Sequence, residues 1–274
     1  MIVTVLVENN TISKEYKNRH GLCLHIKTKD YNILFDVGPD GTFIKNAQKL
    51  GIDISDVDIV IISHGHKDHG GGLGEFLKYN NKAKVYIKEN AFKEYYTKII
   101  GFVKHYVGLD RNLRNSSRIV FISNDFFIDD NIHIFSDVNK QFLMPSSNKV
   151  LFIKEKNQYK QDSFKHEQNL ILKEDNKYIL IVGCAHNGII NIIDKAKEIV
   201  GKDLDFVISG FHLYNPVSKK REKNIFIDEL SMKLSIQRTK FYTCHCTGKI
   251  AFKRLKNNLG DKIDYLLSGN SIKL

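Results

Sequence analysis

The sequence predicts an α/β fold, a four-layer αββα sandwich in which two sheets pack face to face and helices cover their outer faces. Three observations carry this. Short β-branched and apolar runs recur in both halves of the chain, each bounded by turn residues. Stretches of helical character are interleaved with them. Residues of metal-ligand type follow strand ends four times, at 64–69, 184–186, 212 and 245, which suggests that one edge of stacked sheets gathers them. The halves run from about 1–125 and 126–274, and sheet packing would make 1–274 one domain.

Residues 1–7 and 22–27 alternate or run apolar and 31–37 follow, so they read as three strands, with Asn9-Asn10-Thr11 and Lys29-Asp30 as turns. Residues 42–50 read as a helix, with Thr42 as N-cap and Gly51 as its stop. The β-branched run 57–62 reads as a buried strand, 73–78 can start a helix, and 84–87 is a strand. Residues 88–118 are basic and aromatic and break the strand pattern. They read as a helical or irregular insertion at a site mouth, either binding a substrate anion or forming a surface excursion. Strands resume at 119–122 and 132–135. Residues 138–162 are polar apart from an apolar island near 150–153, and read as loop or as another wall of the site. A hairpin spans 168–173 and 177–182, and a helix follows Gly188. Residues 204–210 and 240–243 are strands, 225–236 is helical, and 264–267 is the last strand.

The stretch Ser63-His64-Gly65-His66-Lys67-Asp68-His69 concentrates three histidines and one carboxylate between an expected strand end and helix start, with Gly70-Gly71-Gly72 next. Neutral imidazole is the commonest protein ligand for zinc-like ions, and a carboxylate adds charge compensation. His64 and His66 are two apart, so in an extended loop they point the same way and can grip one ion. Asp68 and His69 can reach a second ion beside it, and use of the motif by one ion is also compatible. The strand fixes the root of the loop, and the glycines let the backbone turn close to the ion.

The motif His-x-His-x-Asp-His followed by Gly-Gly resembles the metallo-β-lactamase superfamily. So do His20-Gly21-Leu22-Cys23-Leu24-His25-Ile26, Ile33-Leu34-Phe35-Asp36-Val37-Gly38, Gly183-Cys184-Ala185-His186-Asn187-Gly188, Gly210-Phe211-His212-Leu213 and His245-Cys246-Thr247-Gly248. Within the superfamily these stretches are similar to the dihydropterin ribofuranosylaminobenzene phosphate synthase-like branch, along nearly the whole chain. The fold implied is the αββα sandwich of the metallo-β-lactamase type. The branch name does not fix the substrate, because one fold hosts many reactions.

The resemblance implies that His64, His66 and His186 hold a first metal and that Asp68, His69 and His245 hold a second. The implied cofactors are two divalent ions, zinc foremost, with manganese or iron also suited to nitrogen and oxygen ligands. Asp36 would either orient ligating imidazoles through hydrogen bonds or close a strand-end turn. Many members place a bridging aspartate in the region of His186, and none lies beside it here. Cys184 is then either a thiolate ligand or a buried small apolar residue, and the second reading is taken. His212 most resembles a residue facing the substrate as proton donor or oxyanion stabiliser. Asp68 and His212 are thus the candidate catalytic residues. Cys244 and Cys246 alternate with His245 on an expected extended segment and should point away from the ions. His25, His105, His133 and His166 are expected to be ordinary.

Composition bounds the function. No apolar run in the 274 residues approaches the length of a membrane span, and Met1–Val7 reads as a strand rather than a signal peptide. The four cysteines form no Cys-x-x-Cys pair, which points to reduced thiols and a cytoplasmic home. The net charge of +11 permits nucleic acid, anionic membrane or phosphorylated partners, yet the lysines are scattered, so the excess reads as composition and solubility. The leading expectation is a metal-dependent hydrolase of a small anionic ester or phosphate. The alternative is a transferase joining a dihydropterin to ribofuranosylaminobenzene phosphate. A nuclease and a non-enzymatic metal-binding protein rank lower, and oligomeric state is left open.

Overall fold

The runs Ile33-Leu34-Phe35 and Ile59-Val60-Ile61-Ile62 lack the polar alternation of a half-exposed strand because both of their faces are covered. In the computed structural model, which describes residues 1–99, 104–217 and 219–274, Ile33, Phe35, Ile59 and Ile61 point into one hydrophobic layer, while Leu34, Val60 and Ile62 point into another. The strands are β1 (Ile2–Val7), β2 (Cys23–Lys27), β3 (Asn32–Phe35), β4 (Ile59–Ile61), β5 (Lys84–Lys88), β6 (Glu94–Lys98), β7 (Lys104–Tyr106), β8 (Ile119–Ile122), β9 (Phe126–Asp129), β10 (Ile132–Phe135), β11 (Leu151–Glu155), β12 (Gln158–Gln161), β13 (Asn169–Glu174), β14 (Lys177–Val182), β15 (Phe206–Ser209), β16 (Lys240–Thr243), β17 (Ile263–Tyr265) and β18 (Ser271–Lys273). The helices are α1 (Thr42–Lys49), α2 (Lys67–Gly70), α3 (Leu73–Tyr79), α4 (Ile189–Val200), α5 (Asn224–Ser235) and α6 (Lys249–Leu259).

Two seven-stranded sheets run in the orders β18-β1-β2-β3-β4-β5-β8 and β17-β16-β15-β14-β13-β10-β9. Each is built the same way. The strands β3, β4, β5 and β8 are parallel in the first sheet, β14, β15, β16 and β17 are parallel in the second, and the remaining pairs in both are antiparallel. Between the sheets lie Val3, Val5, Leu24, Ile26, Phe35 and Ile61 from one and Ile134, Leu170, Ile181 and Ile208 from the other. Phe43 and Ala47 of α1 and Leu73 and Phe76 of α3 cover the outer face of the first sheet. Ile189 and Ile193 of α4, Leu230 of α5 and Leu255 of α6 cover that of the second. The four layers are therefore α, β, β and α, as expected. Truncating a fully buried inter-sheet ring such as that of Phe35 to alanine would cost about 3–5 kcal/mol.

Several expectations need correction. The stretch 88–118, read as helical or irregular, contributes β6 and β7 and a 3-10 turn at Arg111–Asn115, and its residues 100–103 lie outside the described residues. The polar stretch 138–162 contributes the hairpin β11–β12, and the two stretches join in a third sheet of order β12-β11-β6-β7. Residues 264–267 are not the last strand. β18 follows, and it pairs with β1, so the end of the chain returns to the first sheet. Thr42 is the first helical residue rather than the cap of α1; its backbone N–H is capped by Asp40 Oδ1 at 2.9 Å. Helix α6 and strand β9 were not anticipated.

Candidate metal centre

Parallel strands end at the same edge, and that edge carries the site in both sheets. Asp36 follows β3, His64–His69 follow β4, Cys184–His186 follow β14, His212 follows β15 and His245 follows β16. Four of the loops turn through a left-handed residue that is not glycine: Asp36, Ala185, His212 and His245, with φ of 61°, 56°, 51° and 49°. Such backbone costs energy and clusters where function holds it in place. Glycine is required at Gly183, where a Cβ would lie 2.4 Å from Ser63 Oγ and 3.2 Å from His64 Nδ1. There the two sheets come too close for any side chain.

The loops are pinned by three buried carboxylates. Asp36 accepts the Ser63 N–H at 2.7 Å and the Ser63 hydroxyl at 2.8 Å, and His69 Nδ1 lies 2.6 Å from its Oδ2. Glu8 accepts the His245 N–H at 2.7 Å and the Tyr265 hydroxyl at 2.8 Å. Glu167 accepts the N–H groups of His186 and Asn187 at 2.7 and 2.9 Å.

These contacts also select the imidazole tautomers. The Ser63 hydroxyl is given to Asp36, so His64 Nδ1 at 2.8 Å donates to Ser63 Oγ. Asn148 donates its amide to the His186 carbonyl at 2.8 Å, which turns its oxygen to His186 Nδ1 at 3.0 Å. Asn9 treats His245 in the same manner, with 3.1 Å to the carbonyl and 2.9 Å to Nδ1. In their neutral forms His64, His69, His186 and His245 therefore carry their proton on Nδ1 and present a bare Nε2 to the centre of the site. A ligating histidine is ordinarily held this way.

The bare nitrogens converge. His69 Nε2 and His245 Nε2 are 3.2 Å apart, and Asp68 Oδ2 lies 3.3 Å from His245 Nε2 and 3.8 Å from His69 Nε2. Ligand atoms of His64, His66 and His186 lie within 4.8 Å of one another. The Nε2 atoms of His64, His66 and His186 are buried without any hydrogen-bond partner, as are both ring nitrogens of His212. Leaving such an atom unpaired costs about 1–3 kcal/mol, so five in one place call for a ligand. Two nitrogens on one tetrahedral zinc ion lie about 3.3 Å apart, close to the His69–His245 separation. The residues fit two divalent ions.

Electrostatics agree. Burial drives the pKa of His64 and His186 well down and that of His66 to about 3, which keeps these rings neutral and able to ligate. Burial also lowers His245. For His69, burial is outweighed by Asp36 and Asp68, and the pKa rises to about 9. Burial opposes ionisation of Asp68, yet His69, His20 and His245 hold its carboxyl well below the usual range. Two facing lone pairs beside an ionised carboxylate are satisfied by a proton or by a cation, and here the cation chemistry has a complete donor set.

Six of the six predicted ligands, His64, His66, Asp68, His69, His186 and His245, thus lie at one place, with His212 beside them: its ring centroid is 4.2 Å from that of His186. Cys184 is buried, its Sγ 3.1 Å from His69 Nε2. Two expectations fail. Cys246 points into the site, because His245 begins a 3-10 turn and the segment is not extended; its sulfur accepts the His212 N–H at 3.2 Å. Only Cys244 turns away, into the inter-sheet core. His166 is not ordinary. It accepts the Gly65 N–H on Nδ1 at 2.9 Å and meets Asp162 through Nε2 at 3.0 Å, which fixes the backbone between His64 and His66. His20 was missed as a site residue, and its Nε2 lies 3.3 Å from Asp68 Oδ2. Its position just before a strand, in a stretch already similar to the family, was the available signal.

A cavity of about 260 Å³ opens over the centre. His20, Asp68, Cys184, His186, His212 and His245 form its floor, and Thr97, His105, Tyr106 and Leu151 of the third sheet wall it with Lys67 and the 214–217 segment.

Comparison with known proteins gives the family. A family model described as the Metallo-beta-lactamase superfamily matches residues 17–135. The crystal structure of Tm1679, a metal-dependent hydrolase of the β-lactamase superfamily, superposes with a TM-score of 0.84 at 27% identity, covering 100% of this chain and 99% of that one. Residues 17–135 thus match the metallo-β-lactamase superfamily, and the whole chain shares the fold of that superfamily. Among curated relatives, an uncharacterized protein of Methanocaldococcus jannaschii is 26% identical over 259 residues, 93% of each chain. The 7,8-dihydropterin-6-methyl-4-(beta-D-ribofuranosyl)-aminobenzene-5'-phosphate synthase of the same organism is 24% identical over 287 residues, covering 99% of this chain and 96% of that one. No helix among the described residues is long and apolar enough to cross a membrane.

Proposed function

We propose that the protein is a metal-dependent hydrolase acting on a small anionic ester or phosphate. The observation that carries this is the convergence of buried imidazoles: the Nε2 atoms of His64, His66 and His186 have no partner, and those of His69 and His245 face each other beside Asp68. His64, His66 and His186 would hold one divalent ion and Asp68, His69 and His245 a second, zinc being the first candidate. Bound there, the ions would supply positive charge for the attacked oxygen and make a water acidic enough to ionise near pH 7. Asp68, at the cavity floor, accepts and orients hydrogen bonds beside that water. His212 presents an imidazole with no other partner to the cavity, where it can protonate a leaving group. Lys67 lines the cavity and favours an anionic substrate. The lysines are scattered along the sequence, which disfavours nucleic acid.

A second reading is a transferase joining a dihydropterin to ribofuranosylaminobenzene phosphate. It is supported by the similarity to the Methanocaldococcus synthase along almost the whole chain. One experiment separates these. Metal analysis of purified protein is coupled to turnover assays with phosphodiesters, phosphomonoesters, lactones and thioesters, and to a condensation assay with the two synthase substrates. Close to two ions per chain with chelator-sensitive hydrolysis supports the first reading; condensation without hydrolysis replaces it by the second. Protein that binds no metal defeats both.

A further inference from the structure

The four cysteines fall into two chemical settings. Cys23 and Cys244 lie within the hydrophobic clusters that line the two faces of the first sheet. Cys184 and Cys246 belong to none of the hydrophobic clusters of the described residues, although both are buried. Cys246 is engaged by backbone, since its sulfur takes the His212 N–H and lies 2.5 Å from where a Cβ on Gly210 would be, and it also lies within 4.8 Å of ligand atoms of Cys184 and His245. Cys184 is committed to the donors. Its Sγ lies within 4.8 Å of ligand atoms on His64 and His69, of those on His186 and His212, and of those on His245 and Cys246. It thus stands between the two sets of residues assigned to the two ions.

We propose that Cys184 Sγ is a metal ligand shared between the two sets, making the centre a thiolate site rather than one of nitrogen and oxygen alone. The inference rests on the metal-binding reading above and deepens it. A carboxylate able to bridge the sets is absent beside His186, and the sulfur occupies the central place instead. Thiolate is a soft donor, so the centre should favour zinc or cobalt over magnesium and manganese, which prefer oxygen.

The test uses cobalt as the probe. The metal-free protein is loaded with Co2+, its cobalt content is measured, and its absorption is recorded for the unaltered chain, Cys184→Ser and Cys246→Ser. A strong near-ultraviolet sulfur-to-cobalt band is expected in the unaltered chain and in Cys246→Ser, and its loss is expected in Cys184→Ser, with cobalt affinity falling by about 10–100-fold. Cobalt bound without the band, or a band lost only in Cys246→Ser, overturns the assignment while leaving the metal reading in place. A chain that takes up no cobalt defeats the metal reading and the ligand with it. X-ray absorption of the zinc-loaded unaltered protein decides the point even if Cys184→Ser fails to fold. A sulfur neighbour at about 2.3 Å supports the proposal, and only nitrogen or oxygen near about 2.0 Å overturns it.

Discussion

Asp36 and His69, 33 residues apart in the chain, meet through Oδ2 and Nδ1 at 2.6 Å with neither side chain exposed. The contact joins the end of β3 to the loop after β4, and it decides which ring nitrogen of His69 faces the centre. Asp36→Ala removes the acceptor for the His69 ring, the Ser63 hydroxyl and the Ser63 N–H at once. Metal affinity should fall by about 10–100-fold. Asp68→Ala removes a donor itself and should lower metal content further. Competition with a chromophoric chelator measures both, and equal metal content in the unaltered chain and the two variants would defeat the assignment.

Gly183→Ala tests the approach of the two sheets. The new methyl group would meet Ser63 Oγ, the atom that joins Asp36 to His64. Overpacking of this kind costs about 1–3 kcal/mol. Thermal unfolding of the metal-free protein should show that loss, and the loaded protein should show weakened metal binding as His64 is displaced. An unchanged unfolding temperature and unchanged affinity would mean that the sheets separate there without cost.

What could be read from the chain alone followed from local pattern. The runs ending at Ile61, Val182, Ser209 and Thr243 are apolar on both faces, so their strands and the polar residues after them stood out. The third sheet did not, because β12 is exposed at every position and carries no apolar period. Nor did β18, whose three residues are too few to show one. At the site, ligands following strands were visible, but the direction of Cys246 was not, since it depends on the left-handed turn at His245. His166 reaches Gly65 across 101 residues, and Asn9 reaches His245 across 236, so their roles exist only once the sheets have packed.

His212 separates ligation from proton transfer. Both its ring nitrogens are buried without partners, yet its backbone is tied down by the Cys246 sulfur and by the Ser147 hydroxyl at its carbonyl, 2.7 Å away. His212→Gln should keep the metal content of the unaltered chain while kcat falls by about 10²–10⁴-fold, the usual contribution of a positioned acid. Metal analysis beside steady-state kinetics reads both quantities. Loss of metal together with turnover would make His212 a ligand instead.

Lys67 lies inside the motif between His66 and Asp68, and it is exposed at the cavity, whereas the imidazoles around it are buried. A cation there does not enter the donor set. It acts on whatever negative group of the substrate remains outside the reacting centre, and it does so equally in the ground and transition states. Such uniform binding appears in KM and not in kcat. Lys67→Ala should therefore raise KM for an anionic substrate by about 2–5-fold, the range of an exposed charge pair, with kcat unchanged. Raising the salt concentration should erase the difference by screening. An uncharged analogue of the same substrate should show no change in the variant. If KM for the neutral and anionic forms rises alike, the mouth recognises shape rather than charge, and the expectation of an anionic substrate fails.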